Sequence, residues 1–233
     1  MSRRSNSRPS LDSHTSRVTR WHSARSRPAG PLGRGDRSAS ARLSPGASVG
    51  DALRWATGAL ATNVIRSPRL DAELLLGSVL STDRPGLHLR WDEPLTPDLA
   101  RRYERSIRRR AGHEPTSYIL KRRAFYDVDL YVDERVLIPR PETEHLIDEA
   151  LAWARTQGRA LRVLDVGTGS GALAVVLARH LRGVSVVADA SVVASDISID
   201  ALRVAARNLE RYHLSDQVAL FCGDLLSALV STF

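Results

Sequence analysis

The run Leu161-Arg-Val-Leu-Asp-Val-Gly-Thr-Gly-Ser-Gly-Ala172 limits what this chain can fold into more than any other stretch. Leu161 to Val166 reads as a short buried strand, Gly167-Thr168-Gly169-Ser170-Gly171 as a glycine turn, and Ala172 to Leu181 as a helix with Leu173, Val176, Leu177, His180 and Leu181 at helical spacing. Strand, glycine turn and helix in that order make the βα unit that opens a dinucleotide or adenosyl-cofactor fold. Glycine suits such a turn because the backbone visits positive φ and because a ligand must approach without meeting a Cβ. The fold class is therefore α/β. The glycines alone do not choose the cofactor, since Gly167, Gly169 and Ala172 also satisfy the dinucleotide pattern Gly-x-Gly-x-x-Ala.

The choice falls to the carboxylate ending the next strand, the expected acceptor for ribose hydroxyls. Ser-Val-Val-Ala occurs twice, at residues 185–188 and 191–194, and each copy is soon followed by an aspartate, Asp189 or Asp196. Asp189 lies 22 positions after Gly167, near the ~20 of a nicotinamide site, and Asp196 lies 29 after. Asp189 leads into another strand-like run. Asp196-Ile-Ser-x-x-Ala201-Leu-x-x-Ala205-x-x-Asn208 instead runs straight into an amphipathic helix. A third strand, Gln217 to Cys222, ends in Gly223-Asp224-Leu225-Leu226, and Cys222 reads as a small core-facing hydrophobe.

The formal net charge of +8 invites a nucleic-acid or membrane-surface reading, but its location argues otherwise. Residues 1–48 hold ten Arg against only Asp12 and Asp36, so the remaining 185 residues are charge-balanced. Twelve Ser and few aliphatic side chains complete this segment. It offers too little apolar surface to offset ordering entropy and is expected to be a disordered tail. Arginine outnumbers lysine 33 to one, Lys121, which points to a GC-rich coding sequence and to a tail added by an upstream start codon. Organelle targeting and a phosphate-binding arm are the functional alternatives. No apolar run reaches the ~18 residues of a membrane helix. The single cysteine excludes an internal disulfide or a cysteine-based zinc site and fits a reducing compartment.

Between tail and strand lie two further segments. Residues 49–118 have helical periodicity, with Leu53, Ala56 and Leu60 on one face and Leu70, Leu74, Leu75 and Val79 on another. Ser67-Pro68 and Thr96-Pro97 are N-cap candidates followed by proline at the first helical position, and the second opens a helix of about fifteen residues with Leu99, Tyr103 and Ile107 inward. Its six arginines between 101 and 110 read as a solvated exterior, with a phosphate- or partner-binding face as the alternative. Residues 118–134 alternate at Val128, Leu130 and Val132 and predict a hairpin or strand pair. Arg135-Val-Leu-Ile-Pro-Arg-Pro-Glu-Thr-Glu144 then bends at two prolines and releases a helix whose apolar, inward face carries Leu146, Ile147, Ala150, Leu151 and Trp153.

The run from Arg135 to Glu144, with Glu114-Pro115 and Tyr118-Ile119 before it, closely resembles the linker signature of the release-factor glutamine methyltransferases, the HemK/PrmC family. The resemblance extends from about Val49 to the last residue, takes in Ser67-Pro-Arg-Leu-Asp-Ala-Glu-Leu-Leu-Leu76, and departs at Leu120-Lys121, where the family usually has a Thr-Gly or Leu-Gly turn. It implies a cytoplasmic, monomeric enzyme using S-adenosyl-L-methionine, with no specific nucleic acid and no membrane as partner. Its substrate is the glutamine side-chain amide in the Gly-Gly-Gln loop of a peptide chain release factor. The implied architecture is a disordered tail (1–48), a small N-terminal helical bundle for substrate recognition (49–118), a β-hairpin linker (119–140), and the N-terminal half of a class I, Rossmann-like methyltransferase domain (141–233). The stretch beginning at Asp196 resembles the second motif of class I methyltransferases. The implied cofactor residues are Gly167, Thr168, Gly169, Ser170, Gly171, Asp196 as ribose ligand, Asp224 accepting from the adenine amino group, and Leu225 packed on the ring. For Asp224 the plain alternative is a helix N-cap.

The family's catalytic Asn-Pro-Pro-Tyr, expected a few residues beyond this point, does not occur in the sequence, and no other residue obviously substitutes for it. No catalytic residue is assigned. Three strands stand where the family has seven, so the expectation is a truncated copy, marginally folded and inactive, with the first strand an edge carrying bare apolar side chains. A nucleic-acid adenine-N6 methyltransferase shares the cofactor half and is the runner-up, against which the linker and the neutral body argue. A non-catalytic binding module using the helical bundle alone is the third reading.

Overall fold

A computed structural model describes residues 42–157, 161–181 and 191–225. The tail expectation for residues 1–41, and Asp189 as a strand end, lie outside these described residues.

Helices α1 (Val49–Thr62), α2 (Pro68–Leu80), α3 (Arg84–Leu89), α4 (Pro97–Ala111) and α5 (Thr116–Leu120) build the N-terminal bundle. Ser48 and Asp51 close a reciprocal capping box at the start of α1, and the Thr96 hydroxyl accepts the Leu99 N–H at the start of α4. Ser67 precedes α2 with Pro68 in the first turn but makes no side-chain cap bond. One apolar cluster joins Leu53, Ala56 and Leu60 to Ala72, Leu75, Leu76, Leu87, Tyr103 and Ile107. Tyr103 Oη, fully buried, donates to the Ala72 carbonyl at 3.0 Å.

Two expectations are corrected in this bundle. The packed chain extends upstream of the expected boundary at residue 48: Leu43 and Ala47 are buried in the same cluster, the Leu43 N–H donates to Glu104 Oε1 at 2.8 Å, and Leu95 N–H donates to the Ala47 carbonyl. On α2 the buried face is Ala72, Leu75, Leu76 and Val79, while Leu70 and Leu74 are 42% and 38% exposed. The leucine run 74–76 offers two overlapping stripes at helical spacing, and contact with α4 selects one. Arg101, Arg108 and Arg109 make surface ion pairs with Asp98, Glu104 and Glu114, as expected for a solvated exterior, but Arg110 departs from it: its largely buried guanidinium pairs with Asp71 of α2 at 2.7 Å.

Residues 118–120, expected to open the hairpin segment, are instead the end of the short helix α5. Its C-cap Lys121 has φ +54°, so the position where the family carries glycine is one that requires a left-handed backbone. The hairpin proper is β1 (Arg123–Phe125) and β2 (Val128–Leu130), antiparallel with Phe125 opposite Val128, and its turn is Tyr126-Asp127. It does not behave as a separate linker. Phe125, Val128, Leu130 and Val132 are buried in one cluster with Ile147, Leu151, Ala154 and the core of the cofactor unit.

The same unit holds α6 (Thr143–Thr156), β3 (Arg162–Val166), α7 (Ala172–Leu181), β4 (Ser191–Asp196), α8 (Ile199–Arg211) and β5 (Val218–Cys222). On α6 the inward residues are Ile147, Leu151 and Ala154; Leu146 and Trp153, expected inward, are more than half exposed. Glu144 at the start of α6 accepts the Tyr126 N–H at 3.1 Å, which gives the second glutamate of Pro-Glu-Thr-Glu a place at the hairpin turn. β3, β4 and β5 form a parallel sheet in that order. Among the described residues β3 ends the order, and Leu164 and Val166 on it are about two-fifths exposed.

Asp133 fixes the exit of the hairpin. Its carboxylate accepts Arg135 Nε and Nη2 at 2.9 and 2.6 Å, the Arg135 backbone N–H and the Tyr131 hydroxyl. The Arg135 guanidinium leads these donors in holding the carboxyl well below the usual aspartate range. A depressed folded-state pKa stabilises the fold above the unfolded value of about 4 and withdraws that contribution as pH falls below it. Urea midpoints measured from pH 7 to pH 3 should therefore fall less steeply in Asp133→Asn, at lower overall stability, than in the unsubstituted chain.

Candidate cofactor site

The site forms where β3 and β4 end. Gly167, Gly169 and Gly171 have φ of +75°, +55° and +78°, a backbone that L side chains rarely adopt. The three glycines serve different neighbours. A Cβ on Gly167 would meet nothing within 4 Å, and one on Gly169 only a carbonyl at 4.0 Å, so this part of the turn opens onto free space. A Cβ on Gly171 would sit 3.1 Å from Ala205 Cβ, so there the glycine admits α8.

Hydrogen bonds tie the turn to β4. Gly167 and Thr168 both donate their N–H to the Ser195 carbonyl, at 2.8 and 2.9 Å, and Gly169 N–H donates to Asp196 Oδ2 at 2.9 Å. Asp196 is the last residue of β4; its Oδ1 accepts the Ser198 N–H at 2.9 Å, and Ser198 Oγ caps α8. Each carboxylate oxygen thus keeps a lone-pair direction for another donor. Beneath the turn, buried Asp165 accepts the Thr168 hydroxyl at 2.6 Å. Burial pushes its carboxyl above the ordinary aspartate value, opposed by Thr168 and a backbone N–H of Ala174. Thr168 and Ser170 are buried.

On the neighbouring strand, Gly223 N–H donates to the Asp196 carbonyl at 3.0 Å, bringing the end of β5 beside the end of β4. Asp224 and Leu225 follow, both exposed, Leu225 at φ +49°. At or just past the ends of two adjacent strands stands an acid followed by an exposed aliphatic side chain, Asp196-Ile197 for β4 and Asp224-Leu225 for β5. Cys222, expected to face the core, is exposed, opposite Asp196 at the carboxyl end of the sheet. Among the described residues no group of His, Cys, Asp and Glu is placed to hold a metal ion, and no helix is long and apolar enough to cross a membrane.

Residues 51–120 match the family model of the PrmC N-terminal domain, and residues 163–231 match that of a methyltransferase domain. The release factor glutamine methyltransferase of Chlorobaculum tepidum is 40% identical over 185 residues, 78% of this chain and 61% of that protein. Those of Rhodopirellula baltica (38% over 182 residues) and Koribacter versatilis (45% over 163 residues) align over 76% and 70% of this chain. Over these residues the chain is similar to the release factor glutamine methyltransferases. It spans about 60% of the length of these relatives, at 61%, 59% and 55%.

In this chain the turn Gly167–Gly171 and Asp196 come together at the carboxyl ends of β3 and β4, and Asp224 and Leu225 follow the neighbouring end of β5. The sequence pattern running from Asp196 to Asn208 contained Ile197 and Asn208 but gave neither a role of its own. Ile197 repeats the acid-aliphatic pair already noted at Asp224-Leu225. Asn208 is a fully buried amide three residues from Ala205, on the helix face that covers the glycine turn. A polar residue in line with Ala201, Leu202 and Ala205 was the available signal.

Proposed function

We propose that this chain carries the cofactor-binding and substrate-recognition parts of an S-adenosyl-L-methionine-dependent methyltransferase acting on the glutamine side-chain amide of a peptide chain release factor. One observation carries the cofactor reading. The glycine turn is open at Gly167 and Gly169, and the neighbouring carboxylate, Asp196, is already oriented by backbone donors with acceptor capacity to spare.

In this reading Asp196 accepts the two ribose hydroxyls, as carboxylates at the ends of second strands do. Asp224 accepts from the adenine amino group, and Ile197 and Leu225 flank the ring with apolar surface otherwise left in water. The turn from Gly167 to Gly171 lets the methionine portion lie against bare backbone. The cofactor supplies a methyl group on a positively charged sulfur. The receiving amide nitrogen is a poor nucleophile, because its lone pair is delocalised into the carbonyl. Transfer therefore needs acceptors that hold the NH2 and aim that lone pair, and none of the described residues is assigned that role. The bundle of α1 to α5 and the hairpin provide the surface for the release factor, and the cytoplasm, where translation occurs, is the expected location.

Equilibrium dialysis of the 233-residue chain against S-adenosylmethionine, NAD and NADP separates the possibilities. Saturable binding of S-adenosylmethionine alone is expected; preferential binding of a nicotinamide dinucleotide would overturn the assignment. Titration with a bacterial release factor and with duplex DNA should give binding to the first only.

A further inference from the structure

Asn208 lies outside the cofactor contacts assigned above, yet its side chain is fully buried and fully used. Nδ2 donates to the Ser170 carbonyl at 2.8 Å and to the Tyr131 carbonyl at 2.9 Å, and Oδ1 accepts the Tyr131 N–H at 2.7 Å. One amide therefore grips the glycine turn with one hydrogen and the chain just after β2 with its remaining groups. Ala205, one turn earlier on α8, fills the space against Gly171. Four residues further on, Tyr212 Oη accepts the Asp129 N–H at 2.6 Å and meets the Asp129 carbonyl at 3.2 Å. Asn208 and Tyr212 together serve alternate backbone groups along one edge of the hairpin, as a pairing strand would. Only Asn208 also reaches the turn.

We propose that Asn208 is a positioning residue that locks the glycine turn to the hairpin, so that binding of the adenosyl cofactor at the turn is transmitted to the backbone at Tyr131. The inference rests on the cofactor reading given above. Its physical basis is the inventory of an amide: two donors and one acceptor in one plane, so the Ser170 and Tyr131 contacts share one side-chain orientation. Movement of the Ser170 carbonyl during binding shifts that plane and with it both bonds to Tyr131. Cofactor occupancy is thereby coupled to the hairpin that joins the helical bundle to the sheet.

Asn208→Asp is the informative variant. It keeps an acceptor for the Tyr131 N–H and sets a carboxylate oxygen against the Ser170 and Tyr131 carbonyls. Tyr212→Phe is the control, because it releases the same hairpin edge without touching the turn. In the full chain, Asn208→Asp should weaken S-adenosylmethionine binding roughly tenfold or more, whereas Tyr212→Phe should stay within about twofold while lowering the melting temperature. Equal losses in both variants, or an unchanged affinity in Asn208→Asp, would overturn the proposal. Should Asn208→Asp fail to fold, amide hydrogen exchange of the unsubstituted chain decides. Saturating S-adenosylmethionine should slow exchange at Tyr131 more than at Asp129, and no slowing at Tyr131 despite measured binding refutes the coupling. Absence of S-adenosylmethionine binding to the unsubstituted chain would instead remove the cofactor reading, and this inference with it.

Discussion

On the proposed cofactor reading, Asp196→Ala should lower the affinity for S-adenosylmethionine by roughly a hundredfold or more, because two charge-assisted hydrogen bonds to ribose hydroxyls are lost at about 1.5–3 kcal/mol each. The loss of the Gly169 N–H contact acts in the same direction, since it frees the turn that receives the cofactor. Asp196→Asn keeps one acceptor and falls between the two. Asp200→Ala, which removes an exposed partner of Arg203 on α8, leaves binding unchanged, as does Asp189→Ala. Equilibrium dialysis with radiolabelled cofactor measures all four. A dissociation constant for Asp196→Ala within threefold of the unsubstituted chain would rule out the ribose role.

The second large effect concerns stability. Leu130 is fully buried in β2, within the cluster that includes Ile147, Val175 and Leu177. Leu130→Ala should cost about 2–5 kcal/mol, the range for a leucine removed from a packed core. A hairpin serving only as a tether between two domains would lose under about 1 kcal/mol at such a position. Urea unfolding followed with and without S-adenosylmethionine reads the difference, because the ligand stabilises the state that binds it. Leu53→Ala, in the separate cluster of the helical bundle, provides the matched substitution outside the cofactor unit.

The glycine turn, the strand before it and the helix after it were legible because each is a local statement. Positive φ needs glycine, a parallel strand favours β-branched and apolar residues, although β3, expected to be buried, stays largely exposed, and a helix shows its face at fixed spacing. Proline at the starts of α2 and α4 was legible for the same reason. Less legible was which stripe of a leucine-rich helix turns inward. Leu70 and Leu74 on α2, and Leu146 and Trp153 on α6, are apolar residues at plausible helical positions, and only the neighbouring helices decide that they stay exposed. Residues 42–48 were read with an Arg- and Ser-rich segment, although Leu43 and Ala47 find buried places against α4 and the chain before it. Composition averages over such isolated anchors.

The sequence by itself determined the α/β class, the order of strand, glycine turn and helix, and the candidate cofactor residues on the turn, because those depend on backbone geometry and residue chemistry within a few positions. The described fold decided that the second strand ends at Asp196, that the hairpin shares a core with the sheet, that Lys121 occupies a left-handed cap, and that Asn208 joins the turn to Tyr131. The last depends on which distant backbone groups lie within 3 Å of one side chain. Tyr131 and Asn208 are 77 positions apart, and no local preference of either residue contains the other.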